Sequence, residues 1–129
     1  MDSDKRLAFE TLFERGRVRV LFHINVQGVE LPAVARAKST DGVMLALDYS
    51  KGFTMPSFKV GDDGVRAVLT FGGRSHMTFV PWAAVVALLQ GGELMETWPT
   101  PGVDGGPAVN DFGLDEGDMD KWLSKAAEG

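Results

Sequence analysis

The residues able to do chemistry are few. His23 and His76 are the two histidines of the 129 residues, and there is no cysteine. A metal centre or an acid–base pair needs more His, Asp or Glu at ligand spacing, and no HxxxH-like pattern occurs. Ser50 and Ser75 have no nucleophile motif around them. An enzyme is therefore not expected, nor a metal or a cofactor. Arginine offers a second chemistry, because Arg15 and Arg19 stand in an R-x-x-x-R spacing and guanidinium forks suit phosphates and guanine edges. Backbone offers a third. Gly72 and Gly73 sit between two apolar runs, and glycine within a sheet lets another main chain come close. An extended peptide would be such a chain.

The elements that hold these residues can be read from periodicity. Residues 4–15, DKRLAFETLFER, have helical spacing, with Asp4 as cap and Gly16 as stop. Leu7, Phe9, Leu12 and Phe13 are more apolar bulk than a lone surface helix needs; they either dock on the domain or meet another chain, and a homodimer interface is the expectation. RVRVLFHINV then alternates, with Val18, Val20, Phe22, Ile24 and Val26 on one face and Arg19, His23 and Asn25 on the other. VELPAVARA reads as a strand broken by Pro32, and Asp41-Gly42 as a hairpin turn. VMLALDY and VRAVLTF read as strands. Val65, Ala67, Leu69 and Phe71 point inward, while Met44, Ala46, Val68 and Thr70 make outer faces apolar or small. Apolar residues on both faces require a cover for both, a second sheet or a ligand. HMTFV is a further strand. Pro81 then suits a helix start, with Trp82, Val85, Val86 and Leu89 as its stripe, and ELMETW closes as a short strand.

Composition divides the chain. Residues 1–98 make one helix-plus-strand domain, 99–111 a Gly/Pro linker, and 112–129 an acidic amphipathic segment. In that segment Met119, Trp122 and Leu123 share one helical face, with acids before them and Lys121 and Lys125 after, as the helix dipole favours. That face needs a surface to pack on, either a partner to dock on or the chain's own barrel. The net charge of −5 argues against nucleic acid as partner. No apolar run approaches the ~20 residues of a membrane span, and the N-terminus does not read as a signal peptide, so the cytoplasm is expected. Short strands at regular spacing after one helix suggest a mainly β fold, a small barrel or sandwich.

Two families resemble parts of this pattern. Arg15 and Arg19 with Asp48, Ser50 and Gly52 resemble the PilZ family, which binds cyclic di-GMP on a β-barrel, although Gly52 falls one residue early and Phe53 stands where that motif has glycine. Four segments in order and register, QGVELPAVAR, GVMLAL, DDGVRAVLTFGG and VPWAAVVAL, are similar to stringent starvation protein B (SspB), as is Met95 to Pro99. That likeness covers roughly residues 17–98. It implies an Sm-like β-barrel with an N-terminal helix at a homodimer interface, and a flexible C-terminal tail. It also implies an adaptor that binds ssrA-type degradation tags and delivers tagged polypeptides to the ClpXP protease, docking on ClpX. The tag-contacting residues it implies are Met44, Ala46, Val68, Thr70, Phe71, Gly72, Gly73 and Arg74. Thr70 stands where the family commonly has arginine, and the chain ends in DKWLSKAAEG rather than in a basic, aliphatic motif.

Overall fold

A computed structural model describes residues 2–52, 55 and 57–98; the expected linker, and the segment bearing Met119, Trp122 and Leu123, lie outside these. The described residues form a mainly β fold with an N-terminal helix, and no strand pairing among them closes the sheets into a barrel. Helix α1 spans Asp2–Arg15. It begins two residues earlier than the spacing suggests, so Asp4 lies inside the first turn rather than at the cap. Seven strands follow: β1 Val18–His23, β2 Met44–Tyr49, β3 Lys59–Val60, β4 Gly64–Phe71, β5 Arg74–Pro81, β6 Val85–Gln90 and β7 Glu93–Thr97. One sheet has the order β2-β1-β6-β7 and the other β3-β4-β5, with antiparallel pairing throughout.

Two expected elements change type. Residues 32–37 make a one-turn helix α2, Ala33–Arg36, not a strand. Pro32 fixes an extended entry, and Ala and Arg are good helix formers. Residues 82–90 are not a helix: a 3-10 turn at Trp82–Ala84 leads into β6. Apolar spacing fits either reading when a run is buried on every side, and β6 is buried from Val85 to Leu89.

The register separates two apolar layers. Val18, Val20 and Phe22 of β1 pair with Tyr49, Leu47 and Leu45 and face the main core, where Phe9, Val65, Ala67, Phe71, Val80 and Trp82 meet them. Leu21 and His23 point to the opposite face with Ala46 and Met44. There Leu21, Met44, Val86, Ala87 and Leu89 form a second cluster. A register shift between Leu21 and Phe22 makes room for Val86 in β6, a β-bulge. The expectation that β1 would be polar on its second face therefore holds for Arg19 but not for Leu21 or His23, both buried.

Helix α1 packs inward. Phe9 is fully buried, with its ring 5.7 Å from Tyr49 and 5.8 Å from Trp82, and Phe13 stacks on Phe58 at 5.0 Å. Leu12 is buried too. Of the four residues expected at a dimer interface, these three serve the chain's own core, and Leu7 alone is exposed, at 66%. The Gln90 amide donates to the Leu12 and Arg17 carbonyls, satisfying acceptors at the helix end.

Candidate functional site

The β4–β5 hairpin carries the candidate site. β3 is two residues long and pairs with Arg66 and Val65 only, so 67–71 of β4 have no described strand on that side. Backbone direction follows from register. The Gly64 carbonyl faces the β3 side, where it accepts from the Gly61 N–H at 2.9 Å. Alternation then turns the backbone groups of Arg66, Val68 and Thr70 to the same side. Val68 and Thr70 thus present N–H and C=O groups along an edge that no described strand covers, the arrangement to which an extended peptide adds as a further strand.

Side chains flank this edge on both faces. Val68 and Thr70 pair with Met77 and Ser75 on the outer face, where Met77 is 46% exposed. Phe71 and Leu69 pair with Arg74 and His76 on the inner face. Phe71 is buried in the core, its ring 6.3 Å from His76 and 6.0 Å from the Lys38 ammonium. Helix α2 stands beside the hairpin tip: a Cβ on Gly72 would lie 3.9 Å from Val34.

Gly72 and Gly73 are the hairpin turn itself, with φ of +57° and +81° between the paired Phe71 and Arg74. Both central residues at positive φ define the tight primed turn that suits a twisted ribbon. Turn geometry accounts for both glycines without an approaching backbone. The close approach occurs instead at Gly64, opposite Pro81, where a Cβ would lie 2.1 Å from the Val80 carbonyl oxygen.

The structure brings six of the expected tag-contacting residues together, Val68, Thr70, Phe71, Gly72, Gly73 and Arg74, on one hairpin. Met44 and Ala46 belong to the other sheet, where they join the second cluster. Arg15 ends α1, while Arg19 on β1 makes a two-pronged ion pair with Asp48, Nε–Oδ1 2.7 Å and Nη2–Oδ2 2.9 Å. That pairing engages the guanidinium fork that a phosphate would need, and raises the Arg19 pKa further above its ordinary value. His23 and His76 lie on different sheets. Burial lowers the His23 pKa, and its Nδ1 accepts from the Asn25 N–H at 3.0 Å. Among the described residues no group of three or more His, Asp or Glu converges on one point, and no helix is long and apolar enough to cross a membrane.

One structural anchor gave no signal in sequence. Lys5 is buried on α1, and its ammonium donates to the carbonyls of Trp82 at 2.8 Å and Val85 at 2.9 Å, tying the helix to the start of β6. Its position among apolar neighbours three and four residues away was the available hint, and a Lys there reads equally as a snorkelling surface residue. No protein-family model and no curated protein matches this chain.

Proposed function

We propose that this chain is a non-enzymatic adaptor that holds an extended ssrA-type degradation tag and delivers the tagged polypeptide to the ClpXP protease. The observation that carries the reading is the open β4 edge at 67–71, with Val68 and Thr70 offering backbone bonds beside an exposed Met77. Main-chain bonds along such an edge supply affinity, and the alternating side chains supply selection. The order and register of the SspB-like segments add the identity of the peptide. An Sm-like arrangement of the two sheets, a homodimer and docking on ClpX belong to the same proposal. Holding tag and unfoldase together raises the effective tag concentration to the order of mM without any bond being made or broken.

The test is fluorescence anisotropy with a labelled ssrA-type peptide. Thr70→Pro removes one edge-facing N–H without cutting the β4–β5 ladder, and proline is tolerated at such an edge. At least a tenfold loss of affinity is expected, with the far-UV spectrum unchanged. A tag peptide N-methylated along its backbone should lose affinity for the parent protein as well. Parent-like binding in both cases, or tight binding of cyclic di-GMP in place of the tag, overturns the proposal.

A further inference from the structure

The second apolar cluster is buried, yet no described hydrophobic side chain from another element packs on it. Leu21, Met44, Val86, Ala87 and Leu89 are at most 3% exposed. The hydrophobic side chains packed against them, Val43 and Ala46, come from the same sheet and its entry turn. Helix α1, β4 and the 3-10 turn contribute to the other cluster, as do Met55 and Phe58 of the β2–β3 connection. Leucine and methionine on one face of a single sheet lose their water only when something lies across them.

The chain itself leads to this face. The Trp98 N–H donates to the Val86 carbonyl at 2.8 Å, so the last described residue leaves the body beside a member of the cluster. Residues 99–111 follow, rich in Gly and Pro. A stretch of that length spans up to about 45 Å when extended, against a width of about 20 Å for four strands. Beyond it come Met119, Trp122 and Leu123 at helical i, i+3 and i+4 spacing. A lone helix so short is marginal in water and needs a surface, just as the sheet face needs a cover.

We propose that residues 112–125 lie across the outer face of the β2-β1-β6-β7 sheet, with Met119, Trp122 and Leu123 seated on Leu21, Met44, Ala87 and Leu89. The segment is then packed on this chain's own sheet. The proposal stands without the adaptor reading.

The absence of native cysteine allows a single spin label, placed at Ser124→Cys in the full chain. The expected result is selective broadening of the methyl signals of Leu21, Met44, Ala87 and Leu89, with Val68 and Met77 spared. Trp122→Ala should abolish that selectivity and lower Tm by roughly 5 °C or more. Uniform or absent broadening, or broadening at Val68 and Met77, overturns the proposal. So does a Tm unchanged by Trp122→Ala. In a mixture of label-bearing unenriched chain with unlabelled enriched chain, the same broadening would assign the cover to a second copy and also overturn it. None of these readouts involves a tag, so their failure is separate from failure of the adaptor reading.

Discussion

Gly64 leaves no room for a methyl group, because the opposing Val80 carbonyl and Pro81 Cα are both backbone and cannot swing aside. Gly64→Ala should cost about 2–4 kcal/mol, read as a lower urea midpoint at unchanged slope. Gly73 is the opposite case. Nothing lies within 4 Å of its added Cβ, but its φ of +81° disfavours branched side chains. Gly73→Asn should be tolerated where Gly73→Val strains the turn. In sequence the two glycines look alike, and the "GG" pair draws the eye although the bare backbone that matters is at 64. Spacing reports that a glycine interrupts a strand; only the pairing reports whether turn or contact requires it. Tyr49 makes a second contrast. Its hydroxyl is buried with no hydrogen-bond partner among the described residues, and burial raises its pKa. Tyr49→Phe removes a desolvated polar atom and keeps the ring against Phe9, so thermal melting should show a change of about 0.5 kcal/mol or less, or a gain.

At the scale of elements, α1 is part of the core rather than an appendage. Phe9 meets Tyr49 and Trp82, and Lys5 holds two carbonyls at the start of β6. Phe9→Ala should cost about 3–5 kcal/mol by chemical denaturation, and removing the helix should unfold the sheets rather than release a stable monomer. The helix was legible because Phe9, Leu12 and Phe13 recur at i, i+3 and i+4, although Leu7 turned out exposed and Lys5 buried. The 82–90 segment was not, because burial on all sides erases the period, and Val85 and Val86, both β-branched, favour the strand. On strand β1, His23 links stability to pH. The His23 pKa is lowered by burial, so the unfolded state binds its proton first as pH falls. Stability contributed by neutral His23 is full above about pH 6.5 and declines as pH drops from there toward the lowered folded value. Urea midpoints at pH 7.5 and 5.5 should differ, and His23→Gln should shrink the difference; an equal difference in both proteins would remove His23 as its source.

At the scale of the whole molecule, inward packing of α1 leaves Leu7 as the exposed large hydrophobic on the described helix. Leu7 and Met95 border a groove of about 390 Å³ between the helix and β7, and Leu94 and Met95 are both exposed. This groove is the apolar surface that α1 offers to the proposed homodimer. Leu7→Glu with Met95→Glu should then turn a dimer into a monomer in sedimentation velocity while leaving tag affinity unchanged. A parent that sediments as a monomer, or a variant that stays dimeric, excludes that interface. The mainly β class and the one-helix start were legible because strand alternation and turn residues are local signals. The two-sheet order was not, since β1 pairs with β6 across more than half the described chain. The candidate edge was hidden for a related reason: an edge is defined by the partner a strand lacks.

That strand order has a consequence for synthesis. β1 is central, carries Val18, Val20 and Phe22 on one face and Leu21 between Arg19 and His23 on the other, and sits between β2 and β6. Leu21 meets Ala87, a residue made 66 positions later, which at ordinary translation speeds is a delay of about 3–13 s. During that interval a nascent chain carries Leu21 and Phe22 on a strand with one edge bare, and apolar surface beside an unpaired strand edge is prone to aggregate. A fragment released after Pro81 never receives β6. Such truncated products, from broken messages or stalled ribosomes, should partition into the insoluble fraction while the full chain stays in solution, and the cell must clear them as aggregates rather than as stable half-domains.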